Sequence, residues 1–112
     1  MRPTIRNIRK QVALYDLEIA PGIWGIWPLD GRYEPFKGVH VCPLGALLCG
    51  SAAAPGASCQ EAAAVALGRH LEWVYGYTSA VDGVISRQVW PPTAEFRKGF
   101  RCGVRHSRIL FP

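Results

Sequence analysis

Residues 58–77, SCQEAAAVALGRHLEWVYGY, carry the strongest structural pattern in the chain. Ser58 and Glu61 form an S-x-x-E capping box, in which each side chain binds the free backbone amide of the other residue. The alanine-rich run 62–66 favours a helix, and Gly68 is suited to end that helix in the left-handed conformation. A second helix is expected over about 70–80, so the stretch predicts a helix–glycine–helix unit.

This unit has two interpretations. A helix-turn-helix that reads DNA needs a small residue in its first helix, a glycine at the turn and apolar residues at fixed offsets. Four residues fit these positions: Ala64, Leu67, Gly68 and Val74. The second helix, however, carries Trp73, Tyr75 and Tyr77, whereas a reader of base edges presents mostly polar side chains. We therefore favour the interpretation that the two helices pack on the core, and keep DNA binding as the alternative.

Further helices are predicted from apolar spacing and caps. The first follows the N-cap Thr4 and is favoured to about Leu14, with a strand over 12–20 as the alternative. Pro43 opens a helix to about residue 54. Thr93 caps a last helix, in which residues 96, 100 and 104 form an apolar side and residues 97, 101 and 105 a basic side; Gly99 and Gly103 should weaken it.

Residues 20–38 form a loop with three prolines and four glycines that is nevertheless aromatic. Its rings are Trp24, Trp27, Tyr33 and Phe36. They either cover the core or, beside Arg32 and Lys37, stack on the bases of a single-stranded nucleic acid; we favour the core. Asp30-Gly31 indicates a turn, and residues 84–90 a short strand or an extended linker.

Together these patterns predict one mainly α domain over 1–112, with about four short helices and a long aromatic loop. The alternative is an α+β fold with a short N-terminal strand pair. The 49% hydrophobic and 19% charged composition is typical of a globular chain. We find no apolar run that would span a membrane and no export signal, so we expect a cytoplasmic location and reduced cysteines.

The net charge of +5 is concentrated near the two ends of the chain. The basic residues there are Arg2, Arg6, Arg9 and Lys10, and Arg97, Lys98, Arg101, Arg105 and Arg108. They are either two solvated ends or one basic face for an acidic partner.

Chemical motifs are sparse. His40-x-Cys42 and Cys102-x₃-His106 provide ligand types that zinc prefers, but the usual C-x₂₋₄-C knuckle is missing, and buried thiols are the simpler interpretation. A Cys–His pair can activate a thiolate, yet no known catalytic motif accompanies these residues. We expect no enzyme activity, no metal and no cofactor.

The order C-P-L-G-A-L (42–47), A-x-x-L-G (64–68), W-V-x-G-Y (73–77) and D-G (82–83) resembles small uncharacterised bacterial and mobile-element proteins. The resemblance spans residues 42–83. It implies a shared helical core of unknown function and offers no catalytic residues to transfer.

The function predicted first is a non-enzymatic binding module for a protein partner or for a second copy of the chain. Its partner-binding residues are predicted to be Trp73, Tyr75 and Tyr77, with Trp24 and Trp27. The alternative is a helix-turn-helix-like DNA-binding protein using residues 58–80. In that case the nucleic-acid contacts are Arg69, His70, Arg97, Lys98, Arg101 and Arg105, with Thr78 and Ser79 near the bases.

Overall fold

The computed structural model describes residues 1–83 and 92–112. Within these residues the chain forms five helices and one antiparallel two-stranded sheet. The elements are α1 (Ile5–Tyr15), β1 (Ile26–Leu29), β2 (Arg32–Pro35), α2 (Pro43–Leu48), α3 (Cys59–Leu67), α4 (Leu71–Val81) and α5 (Ala94–Leu110). The mainly helical prediction is thus confirmed in broad terms, and the sheet agrees with the α+β alternative. The predicted strand or linker over 84–90 lies outside the described residues.

The predicted caps begin three of the helices. The hydroxyls of Thr4, Ser58 and Thr93 each accept the backbone N–H three residues ahead, at 3.1 Å. Glu61 completes the capping box by accepting the amide of Ser58, and Gly68 ends α3 with a φ of 61°. The first helix runs to Tyr15, so the helix prediction is confirmed there and the strand over 12–20 does not form.

Helix α2 is shorter than predicted, because the residues that follow it pair with the sheet. The predicted helix extended to about residue 54, but α2 ends at Leu48. Gly50 then donates to the carbonyl of Tyr33, and Tyr33 donates to that of Ser51, at 2.8 and 2.9 Å. These hydrogen bonds with β2 replace the helical ones.

The aromatic loop contains the hairpin of β1 and β2. Asp30 and Gly31 both have positive φ, at 53° and 79°, which is the two-residue turn that suits paired strands. The predicted turn is therefore confirmed, and the two strands flank it. On one side Tyr33 is buried, with Trp24 packed edge-on against it at 6.1 Å. The other side faces outward, so only part of the loop covers the core.

Helices α4 and α5 pack against each other at backbone distance. A Cβ atom on Gly76 would overlap the carbonyl of Phe96, and one on Gly99 would overlap that of Trp73. Gly103 lies close to Tyr77 in the same contact. The backbones of α4 and α5 therefore approach closely at Gly76, and the glycines expected to weaken α5 form its packing face.

The core is built around α2, in which all six residues are buried. Ile8 of α1, Val41 and Tyr77 of α4 are each fully buried around it. The radius of gyration is 13.0 Å, which matches the value of about 13 Å expected for one compact domain of this length. None of the helices in residues 1–83 and 92–112 has the length and apolar character needed to cross a membrane.

Candidate functional site

The aromatic residues of α4 do not form the surface that the sequence predicts. Trp73 is 3% exposed and Tyr77 is 0% exposed, because α5 covers them through its glycine face. Their rings stack on each other, with centroids 5.2 Å apart. The expectation that Trp73 and Tyr77 anchor a partner on the surface is therefore wrong for the folded chain. Tyr75 is half-buried.

The two tryptophans of the aromatic loop differ in position. Trp24 is half-buried against the core, whereas Trp27 is 42% exposed. Trp27 stacks on Phe36 at a centroid distance of 5.4 Å, so each ring covers one face of the other. Of the five residues predicted to bind a partner, Trp27 is the one with a fully surface position.

Burial also removes α4 as a reader of DNA bases. Thr78 is buried, and its hydroxyl donates to the carbonyls of Val74 and Tyr75 at 3.0 and 3.2 Å. Ser79 is half-buried and donates to the carbonyl of Tyr75 at 2.7 Å. Since α5 covers one side of α4 and the core the other, α4 has no long polar face to insert into a major groove. Arg69 and His70 remain exposed at its start.

Helix α5 presents a strongly basic outer face. All of its cationic residues are exposed: Arg97, Lys98, Arg101, Arg105 and Arg108. Its single carboxylate, Glu95, lies 3.3 Å from Lys98 and pairs with that residue. Most of the positive charge of α5 is therefore not neutralised by its own helix.

A shallow apolar depression, formed by side chains of α5 alone, runs along this basic face. Phe100 and Ile109 are 42% and 44% exposed, and the half-buried Val104 lies between them. Arg101, Arg105 and Arg108 line the same groove. We call this surface the α5 groove. It combines exposed apolar carbon with guanidinium groups, and the part of the chain that the structure describes does not cover it.

A second concave site, the arginine pocket, joins three distant segments of the chain. It is lined by Arg2 and its neighbours Pro3 and Thr4, by Arg69 and Trp73, and by Cys102 and Arg105. The guanidinium carbon of Arg69 lies 5.1 Å from the centroid of the Trp73 ring, and Nη2 of Arg105 lies 3.9 Å from Sγ of Cys102. Arg2 and Arg105 come from opposite ends of the sequence, so the two basic ends do meet on one face.

A short hydrogen-bonded chain lies behind this pocket. Sγ of Cys102 is 3.5 Å from Nε2 of His106, and Nδ1 of His106 is 2.7 Å from the hydroxyl of Tyr77. The predicted i, i+4 approach of Cys102 and His106 is therefore present. Burial raises the pKa of Cys102, against the opposing effect of Arg105 and Arg69. Burial and then Arg105 lower the pKa of His106. Both groups are thus neutral near pH 7, unlike the thiolate–imidazolium pair of a cysteine nucleophile.

The two Cys–His pairs considered as zinc ligands do not come together. Nε2 of His40 lies 2.8 Å from Oε2 of Glu18, and Cys42 is buried at the start of α2, where Sγ accepts the amide of Gly45 at 3.3 Å. Within residues 1–83 and 92–112 no three His, Cys, Asp or Glu side chains are grouped closely enough to hold a metal ion.

Sequence reasoning missed Arg2 and the apolar residues of the α5 groove as site residues. Phe100 and Val104 were assigned to one apolar side of α5, which normally faces the core. The signal that α5 packs through another face is the four-residue spacing of Gly99 and Gly103. Comparison with protein families, with curated proteins and with solved structures finds no match to this chain.

Proposed function

We propose that the protein is a non-enzymatic binding module that holds an acidic protein segment in the α5 groove. The observation that carries this proposal is the pairing of exposed Phe100 and Ile109 with three groove-lining arginines. Arginine and aromatic residues are enriched where protein partners bind most strongly. An amphipathic helix with apolar anchors and flanking carboxylates complements such a surface in apolar character and in charge.

A protein fits the groove better than a nucleic acid does. Phosphate backbones are held by cations, and bases by aromatic faces or hydrogen bonds. Ile109 and Val104 provide neither kind of contact, although they form much of the floor of the groove. Their exposed carbon gains free energy only against another apolar surface.

A foreign partner also fits the groove better than a second copy of the chain. In a two-fold symmetric dimer the same patch meets itself, so the cluster of Arg101, Arg105 and Arg108 would face the same cluster of the second copy. Like charges placed in this way repel each other, whereas carboxylates of an acidic partner would pair with them. The four cysteines are free thiols, which supports the reducing, cytoplasmic location that we include in the proposal.

The test uses a synthetic peptide helix with leucines at helical spacing and glutamates between them. We expect it to bind, as measured by fluorescence anisotropy, and the same peptide with lysines in place of the glutamates not to bind. Ile109→Glu places a carboxylate in the groove and should abolish binding, and Arg101→Ala should weaken it. Arg9→Ala removes an equally exposed arginine from α1 and is the matched control.

Four results would overturn the proposal. The acidic peptide fails to bind, or Arg9→Ala weakens binding as much as Arg101→Ala does. Alternatively, duplex DNA binds with a steep salt dependence that flattens when Arg97, Lys98 and Arg101 are replaced, which is the behaviour of a phosphate-binding face. A salt-resistant dimer in light scattering, abolished by Ile109→Glu, would assign the groove to self-association instead.

A further inference from the structure

The arginine pocket is lined by three arginines and by no carboxylate. Arg2, Arg69 and Arg105 are separated by 67 and 36 positions in the sequence, so only the fold brings them together. None of the residues found to line the pocket is acidic, and none of the three arginines forms an ion pair within the described ranges. Like charges gathered in this way raise the free energy of the folded chain unless an anion offsets them.

Contacts with uncharged groups orient two of these arginines. Arg69 lies over the face of Trp73, and Arg105 approaches the thiol of Cys102. A cation over an aromatic ring is held in place without losing its charge. The N–H groups of Arg69, and those of Arg105 other than the one directed at Cys102, therefore remain available to a ligand in the pocket, whose volume is about 490 Å³.

We propose that the arginine pocket binds a phosphate-sized dianion, either inorganic phosphate or the terminal phosphate of a monoester. The planar fork of a guanidinium matches two oxygens of a phosphate group, and charge-assisted hydrogen bonds of this kind are the strong ones. A dianion offsets two of the three positive charges, whereas a phosphodiester within a nucleic-acid strand carries only one negative charge. The site is independent of the α5 groove, with which it shares Arg105 alone.

Cys102 supplies a direct readout of this site. Its thiol lines the pocket, whereas the exposed Cys59 lies outside it and serves as the internal control. The rate at which iodoacetamide labels each thiol is measured by mass spectrometry, in phosphate and in chloride of the same ionic strength. We expect phosphate to slow labelling of Cys102, through occlusion and added negative charge, and to leave labelling of Cys59 unchanged.

Arginine variants test whether phosphate protects Cys102 by binding in the arginine pocket. Arg69→Ala and Arg105→Ala should each raise the phosphate concentration needed for protection by about tenfold, since each removes charged hydrogen bonds. The matched control is Arg97→Ala, which makes the same change in α5 on an exposed side chain that lines neither the pocket nor the α5 groove. Arg69→Lys and Arg105→Lys keep the charge but not the fork, and should give intermediate protection.

The source of the phosphate is distinguished with an oligonucleotide that lacks terminal phosphates. Protection by inorganic phosphate and by glycerol phosphate, with none from the oligonucleotide, supports the dianion site. Protection by the oligonucleotide at the same phosphate concentration overturns it in favour of a backbone contact. The proposal is also overturned if phosphate slows Cys59 and Cys102 equally, or if the alanine variants are protected as well as the wild type. None of these outcomes depends on peptide binding in the α5 groove.

Discussion

The substitution Gly99→Ala tests the contact that seats α5 against α4 and that the arginine pocket spans. A Cβ atom at position 99 would lie 2.7 Å from the carbonyl carbon of Trp73 and 3.0 Å from its Cα. Carbon atoms attract each other best at about 3.5–4.0 Å, so α4 and α5 must separate by about 1 Å. The obstacle is backbone, and no side-chain rotation can relieve the overlap.

The expected cost follows from two opposing terms. Overpacking of a close contact costs about 1–3 kcal/mol, and an overlap with backbone belongs at the upper end of that range. Alanine is a better helix former than glycine by about 1 kcal/mol, which partly offsets the cost. We therefore expect Gly99→Ala to lower the free energy of unfolding by about 2 kcal/mol, with a fall in Tm of roughly 10 °C.

Urea denaturation, followed by circular dichroism and by tryptophan fluorescence, measures this change. Gly103→Ala is the matched comparison, because a Cβ atom there would be less crowded: the Ala80 Cβ and the Tyr77 carbonyl oxygen would both lie at 2.8 Å, and the Val81 Cγ2, which can rotate away, at 3.2 Å. It gains the same helix propensity and should lose less stability than Gly99→Ala. The reasoning is refuted if Gly99→Ala is as stable as the wild type or more stable, since propensity alone would then decide the outcome.

Three further predictions concern buried polar groups. Gln11 is buried, and its Nε2 donates to the carbonyls of Ala46 and Cys49 at 3.1 and 2.8 Å. Gln11→Leu should therefore lower the free energy of unfolding, measured by urea denaturation, by about 2 kcal/mol. An unchanged midpoint of the urea transition would contradict this. Because the pKa of His106 is lowered in the folded chain, the unfolded chain binds a proton at this side chain more readily than the folded chain does. The stability that the neutral imidazole contributes is therefore complete above about pH 6.5. It is lost as the pH falls through the folded pKa, with a slope of at most about 1.4 kcal/mol per pH unit. His106→Gln should flatten that dependence in acid titrations of stability, and an equally steep curve in the variant would count against it. Burial raises the pKa of Cys42 and raises that of Cys49 to about 11. A thiol reagent should therefore label Cys59 and Cys102 first, and should label Cys42 and Cys49 only when the chain unfolds. Early labelling of Cys42 would disprove the burial of Cys42 and Cys49.

The parts of the fold that could be predicted from sequence are those fixed by neighbouring residues. The capping box of Ser58 and Glu61, the left-handed end at Gly68 and the turn at Asp30-Gly31 each depend on atoms within a few residues. Local hydrogen bonds of this kind hold in almost any tertiary setting. For this reason the starts of α1, α3 and α5 agree with the structure.

The sequence predictions are wrong where a segment far away in the chain decides how the local residues are bonded or buried. Residues after Leu48 have the composition of a helix, but β2 offers hydrogen bonds to their backbone and Gln11 binds carbonyls at the end of α2. Similarly, nothing within 70–80 distinguishes an aromatic surface from an aromatic core. That distinction depends on α5, which begins 13 positions after α4 ends.

The glycine contact also determines which residues of α5 are available for binding. Successive residues of a helix are rotated by about 100°, so positions 101, 104 and 108 point roughly 140–200° away from Gly99. Those positions are Arg101, Val104 and Arg108, which line the α5 groove. Because the same rotation leaves Cys102 and His106 nearer the contact, the thiol faces the arginine pocket rather than the open side of the helix. The packing choice therefore decides which side chains of α5 face outward, and a sequence that loses Gly99 should lose the alignment of the arginine pocket, whose residues lie on both sides of the contact.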